Sequence, residues 1–213
     1  MRRIALFDMD GTLIDSGLDI TLSINYVRKS IYNLAPLEVQ SIIDAINTHQ
    51  RNLAYLFYGT DLYESHAKSL FEEHYFYQCI QNLKAYDRIP EILAKLSSHG
   101  VKMGVATNAP TLFAKRMLTH LELDHFFDSI IGADYVETPK PHPQMLQYHL
   151  KRHHYRSGMD RAWMIGDNSK DMEAASRAGI AGIFAGWGFS SLGEGDYFAS
   201  SPDHLIDIIC NKG

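Results

Sequence analysis

Asp8 and Asp10 stand two residues apart, directly behind the apolar run Ile4-Ala5-Leu6-Phe7 and ahead of Gly11-Thr12-Leu13. Two carboxylates at that spacing can divide a group-transfer reaction between them. Asp8 can attack an electrophile, while Asp10 protonates the leaving group and later takes a proton from water. Gly11 permits a bend after the pair, and the Thr12 hydroxyl can brace Asp10 by a hydrogen bond. The alternative is a merely polar turn after a strand. The apolar run, with β-branched and aromatic members, is predicted to be a buried strand whose carboxyl end opens into this loop. In an open α/β sheet, that edge is where ligands bind.

Three further segments carry chemistry-bearing residues behind or beside apolar runs. Val101–Ala106 is predicted to be a strand and ends in Thr107-Asn108. Lys140 begins Lys140-Pro141-His142-Pro143, which leads into a helical pattern from Gln144. Ala162-Trp163-Met164-Ile165 is a third strand ending in Gly166-Asp167, with Asp171 four residues on. In this order, the four segments resemble the motifs of the haloacid dehalogenase superfamily, whose first is Asp-x-Asp-x-Thr. The resemblance runs from Ile4 to about the end of the chain.

That resemblance implies a doubly wound parallel sheet, a Rossmann-like α/β core, with an inserted all-helical cap of the first type. It also implies that Asp8 is the nucleophile and Asp10 the general acid and base. Thr107, Asn108 and backbone amides near Met9 would orient phosphoryl oxygens, with Lys140 supplying positive charge. Mg²⁺ would be held by the Asp8 carboxylate, the Asp10 backbone carbonyl and Asp167. Asp171 would be a further ligand, or a partner for bound water or for Lys140.

Plainer readings stand beside these. Lys140 before a proline can be a solvated loop lysine. Asp171 can be present to favour a helix dipole, and Thr107-Asn108 can cap a helix before Leu112. His149, His153 and His154 share helical spacing but have no acidic or cysteine partner nearby in sequence, so they read as surface histidines. The aromatic stretch Phe71–Tyr77 reads as packing surface.

The rest of the chain shows what must position these residues. After Asp15, helical patterning begins: Ser16 and Asp19 have capping-box spacing, and Ile20, Ile24, Val27 and Ile31 share one face. Pro36 suits the first turn of a second helix, a third spans about 52–57, and a fourth about 65–83. From 89 onward helix and strand alternate: helices near 89–98, 112–121, 144–153, 171–178 and 204–210, with strands near 101–106, 129–132, 162–165 and 182–185. Such alternation means parallel strands with crossover helices. The predicted division is therefore a discontinuous catalytic core, 1–15 with 85–213, and a helical cap, 16–84.

The 213 residues carry a net charge of −5, which leaves no basic footprint for nucleic acid. The two cysteines, Cys79 and Cys210, have no paired spacing and suit a reducing compartment. The first strand begins almost at once, and no apolar run is long enough to span a bilayer. The expected setting is cytoplasmic, as a monomer or homodimer acting on a small phosphorylated metabolite, with no nucleic-acid or membrane partner.

Within the superfamily, Asp15-Ser16-Gly17-Leu18-Asp19-Ile20, Thr107-Asn108-Ala109-Pro110 and Gly186-Trp187-Gly188 most resemble phosphoglycolate phosphatase-like members. Two departures bear on the substrate: Tyr86-Asp87-Arg88 replaces a Pro-Gly after the tyrosine, and the cap loop reads Asn47-Thr48-His49-Gln50-Arg51 instead of being glycine-rich. His49, Gln50 and Arg51 fall where related enzymes recognise substrate, although a solvated loop fits them too. Arg51 could grip a substrate carboxylate in a bidentate fork.

The expected activity is Mg²⁺-dependent hydrolysis of a phosphate monoester, phosphoglycolate or another small phospho-acid or sugar phosphate, through an aspartyl-phosphate. A phosphosugar mutase or other phosphotransferase of the same superfamily is the rival. β-Phosphoglucomutase-like members carry a cap histidine where this chain has Ile20. A phosphonate hydrolase needs a cap lysine, and none lies between Lys29 and Lys68; a true dehalogenase lacks the aspartate at position 10. A catalytically silent binding protein on the same fold would have lost at least one catalytic position, and none is lost.

Overall fold

The computed structural model describes residues 1–48, 52–190 and 192–211. Numbered in chain order, the strands are β1 (Arg3–Phe7), β2 (Ile14–Asp15), β3 (Lys84–Ala85), β4 (Lys102–Ala106), β5 (Ser129–Ile131), β6 (Arg161–Gly166), β7 (Ala181–Ala185) and β8 (Tyr197–Ala199). The helices are α1 (Gly17–Tyr32), α2 (Val39–Asn47), α3 (Leu53–Tyr58), α4 (Ser65–Gln78), α5 (Ile89–Ser98), α6 (Thr111–His120), α7 (Gln144–Arg152), α8 (Ser169–Ala178) and α9 (His204–Ile206), the last continuing into a wider π turn over Asp207–Asn211. Two compact units result: Met1–Asp15 with Ala85–Gly213, and Ser16–Lys84. Among the described residues no helix is long and apolar enough to cross a membrane.

The first unit is built on a six-stranded sheet in the order β5-β4-β1-β6-β7-β8, and its strand pairs are parallel. Ile4, Ala5, Leu6 and Phe7 are all fully buried, as a central strand covered on both faces requires. Register then does the positioning. Phe7 lies opposite Val105 of β4 and Ile165 of β6, so these three strands end level and deliver their loops to one edge. The core between β1, β4, β6, α7 and α8 includes Leu6, Met145, Leu146, Met164 and Ala174.

His149 corrects the sequence reading. It is fully buried on α7, with Nε2 3.0 Å from the Val105 carbonyl and Nδ1 2.9 Å from the Ser129 hydroxyl. A carbonyl only accepts, so Nε2 carries the proton and neutral Nδ1 accepts from Ser129. The ring fits because β4 has glycine opposite it: a Cβ at Gly104 would overlap the imidazole. Burial pushes this histidine down to about 4. Helical spacing identified a shared face without showing which way that face points. His153 is half-buried, and only His154 is exposed.

The second unit packs α1–α4 around Ile24, Val27, Ile42, Phe57, Tyr58 and Ala67. Three expectations change here. α2 begins at Val39 with Glu38 as its N-cap, so Pro36 lies ahead of the helix and not in its first turn. Ser16 does not cap α1 through its side chain, and Asp19 is buried, accepting hydrogen bonds from Gln78 Nε2 (2.8 Å), Asn82 N (3.1 Å) and Asn82 Nδ2 (2.7 Å). A buried carboxylate needs such donors, and supplying them draws the chain out of α4 after Gln78 instead of near Leu83. Of the aromatic stretch, Tyr75 is buried and Tyr77 is exposed.

Candidate active site

The loop after β1 is tied down by its own backbone. Asp8 N donates to the Ile165 carbonyl at 2.8 Å, which extends the β1–β6 ladder to the first aspartate. The amides of Thr12, Leu13 and Ile14 then converge on the Met9 carbonyl at 3.2, 2.9 and 3.1 Å. Such a tight reversal requires Gly11, whose φ is +79° and whose missing Cβ leaves room for the Asp167 carboxylate. Met9 is fully buried, and Asp10 is half-buried and bridges to Ile14.

Asp167 leaves the end of β6 and Asp171 lies in the first turn of α8. Asp8, Asp167 and Asp171 each offer a carboxylate oxygen, and these oxygens lie within 4.8 Å of one another. Lys140 reaches the same place from its loop. Its Nζ is 2.8 Å from Asp8 Oδ1 and 2.6 Å from Asp171 Oδ1, and the side chain is 2 % exposed. The solvated-loop reading of Lys140 is thus excluded by burial.

Asp171 unites both sequence readings, since it also closes a capping box by accepting from Asn168 N at 3.2 Å. Asn108 holds the lysine loop: Lys140 N donates to Asn108 Oδ1 at 3.0 Å, and Asn108 Nδ2 donates to the Lys140 carbonyl at 2.9 Å. Thr107 is buried at the end of β4, where its hydroxyl oxygen accepts from Ala109 N at 3.1 Å. The residue capping α6 is Pro110, not Thr107 or Asn108. His49, Gln50 and Arg51 lie outside the described residues.

Three carboxylates face one ammonium in this cluster. Burial, then Asp8 and Asp171, push the Asp167 carboxyl up to about 8. Asp171 is raised to about 7 by burial and Asp8, against the pull of Lys140. Burial alone would push Lys140 down, but Asp171 and Asp8 outweigh it and hold the ammonium above its ordinary range. The 2.6 Å pair therefore keeps its proton on the lysine. The carboxylate repulsion that remains is what a hard divalent cation relieves, and a close set of aspartate oxygens is the donor set such cations take.

The residues that orient Asp167 lie far away in sequence. Thr12 Oγ1 donates to Asp167 Oδ1 at 3.3 Å, and Phe189 N donates to Asp167 Oδ2 at 2.9 Å. A backbone amide such as that of Phe189 has no residue-type signature, so no motif could have singled it out. Tyr86 also belongs to the site's electrostatics. Burial and the charges of Asp15, Asp167 and Asp10 hold its phenol above the usual range and keep it neutral.

The chain is similar to known proteins along most of its length. The haloacid dehalogenase-like hydrolase family matches residues 5–185. A phosphoglycolate phosphatase of Aquifex aeolicus is 31 % identical over 98 % of this chain and 97 % of its own length. A 5'-nucleotidase of Pseudomonas aeruginosa is 30 % identical over 93 % and 88 %. The structure of a haloacid dehalogenase-like family hydrolase from Streptococcus pneumoniae superposes with a TM-score of 0.80 at 27 % identity, covering 97 % of this chain and 98 % of that one. The chain belongs to the haloacid dehalogenase-like hydrolases, in their phosphoglycolate phosphatase-like group, and is a phosphoric monoester hydrolase.

Proposed function

We propose that this phosphatase is Mg²⁺-dependent, works through an aspartyl-phosphate on Asp8, and hydrolyses a small phosphorylated metabolite, phosphoglycolate or another small phospho-acid or sugar phosphate. The observation that carries the reading is Lys140 Nζ set between Asp8 Oδ1 and Asp171 Oδ1 at the carboxyl edge of the sheet. A phosphate dianion repels a carboxylate, and a buried ammonium touching the nucleophile offsets that repulsion.

In the first step an Asp8 oxygen bonds to phosphorus and the bond from phosphorus to the leaving oxygen breaks, while Asp10 gives that oxygen a proton. In the second, Asp10 takes a proton from water, the water oxygen bonds to phosphorus and the Asp8–phosphorus bond breaks. Thr107 and the amide near Met9 orient the phosphoryl oxygens. Asn108 spends one amide hydrogen on the Lys140 carbonyl and keeps the other for the same task. Asp8, the Asp10 carbonyl and Asp167 would hold Mg²⁺, with Asp171 as a further ligand or serving it through Lys140 or water. When bound, the cation supplies further neutralisation of the phosphoryl charge.

The relatives differ in what their names say they act on at nearly equal identity, so the substrate is assigned by class only. The helical unit 16–84 is given the role of the cap that selects it, with His49, Gln50 and Arg51 as candidates to contact the leaving group. That Cys79 and Cys210 are thiols and not a disulfide fits the reducing, cytoplasmic setting proposed here. The test is phosphate release from a panel of phospho-acids, sugar phosphates and nucleotides, with Mg²⁺ and with EDTA. Turnover of a small phosphorylated acid or sugar only with Mg²⁺ is expected. Full activity in EDTA after dialysis refutes the metal site, and failure on every ester refutes the reading.

A further inference from the structure

Asp167 is gripped at both carboxylate oxygens, and both grips lead to one short segment after β7. Phe189 N donates to Oδ2 at 2.9 Å, and the Thr12 hydroxyl donates to Oδ1 at 3.3 Å. Thr12 is in turn held by Trp187, whose indole N–H donates to the Thr12 main-chain carbonyl at 2.9 Å. Between these two contacts sits Gly188, where a Cβ would overlap the Gly11 carbonyl and the Asp167 side chain. Residues 187–189 thus form a strap closed into a ring with Thr12 and Asp167. Its root is fixed to the sheet, since Gly186 N donates to the Ala199 carbonyl of β8 at 2.8 Å.

We infer that this strap is a positioning device for the metal site, with Trp187 as its key residue: the indole locks the strap to the loop after β1 and so sets the direction of the Asp167 carboxylate. A carboxylate has about four lone-pair sites, so one donor on each oxygen leaves lone pairs for a cation while removing the freedom to rotate. Donors of this kind, one step behind a ligand, change metal affinity by about 10- to 100-fold when lost. The role requires the indole N–H, which phenylalanine lacks, and it requires no side chain at position 188. It rests on the proposed metal-dependent reading, because it assigns Asp167 to the cation.

The experiment is calorimetric Mg²⁺ titration of the purified wild-type protein and of Trp187→Phe, with melting temperatures in EDTA for both. Wild type is expected to bind Mg²⁺, and Trp187→Phe to bind it about tenfold more weakly or worse while melting in EDTA close to wild type. Equal Mg²⁺ affinity in the two proteins overturns the strap and leaves the metal reading standing. No Mg²⁺ binding by wild type overturns the metal reading and the strap with it. Hydrogen exchange on wild type needs no variant. Mg²⁺ is expected to slow exchange of the Phe189 amide, because the carboxylate it donates to becomes fixed, and an unchanged rate in protein shown to bind Mg²⁺ overturns the strap.

Discussion

Lys140 Nζ lies 2.8 Å from Asp8 Oδ1, a buried ammonium in contact with the carboxylate proposed here as the nucleophile. Unit charges about 4 Å apart interact by about 4 kcal/mol at an effective dielectric near 20. Lys140→Met is therefore expected to lower kcat by about three powers of ten. Far-ultraviolet circular dichroism and steady-state kinetics on the same preparation check this. A folded variant within tenfold of wild type contradicts it.

His149 makes stability depend on pH. Its value is about 4 in the folded protein and near 6.5 when unfolded, so between those values the unfolded chain binds more protons. The contribution is fully present above about 6.5 and is lost as pH falls through that window towards 4. It amounts to about 3 kcal/mol. Urea unfolding at several pH values should show this slope, and His149→Gln should flatten it. A variant with the wild-type slope means that other groups carry the effect.

Asp19 accepts three hydrogen bonds inside the helical unit, from Gln78 and Asn82. Its replacement by alanine strands the Asn82 amide and side chain, at a cost of about 2–3 kcal/mol, the scale of a charged hydrogen bond. For a chain of this length that corresponds to a fall in Tm of roughly 5–10 °C. Differential scanning calorimetry would register it, and a shift under 1 °C would remove Asp19 from the account of this unit.

Arg51 tests who chooses the substrate. Arg51→Ala is expected to cost about 1–3 kcal/mol in kcat/KM on the preferred natural substrate and to leave p-nitrophenyl phosphate hydrolysis nearly unchanged. Equal losses on both would assign Arg51 to folding or closure. No loss on either would make it a solvated loop residue.

The strands that carry the site stand out in the sequence because a parallel sheet buries both faces: Ile4–Phe7 and Ala162–Ile165 are continuous apolar runs. Helix α5 was equally plain, with Pro90 in its first turn and Ile89, Ile92, Leu93 and Leu96 buried on one face. Strand β8 was not, because Tyr197 and Phe198 are largely exposed and only Ala199 is buried, which leaves no burial pattern to read. Asp8 and Asp167 could be picked out because each is a charged residue at the end of an apolar strand, whereas Lys140, in a loop, and Asp171, in a helix, stand out only through the order of the family motifs. The ring around Asp167 could not be picked out. It closes through a backbone amide, a backbone carbonyl and an indole, joining positions 12, 167, 187 and 189, and only the three-dimensional register brings them together.

Asp8→Asn tests, with almost no change of shape, the proposal that Asp8 itself takes the phosphoryl group. Wild type quenched during turnover should yield a phosphoryl adduct on the peptide containing Asp8, detected by mass spectrometry. Asp8→Asn should show no adduct and less than about a hundredth of the wild-type rate, a barrier increase above ~2.7 kcal/mol. A variant that keeps more than that rate, or an adduct on any other residue, would contradict the covalent mechanism.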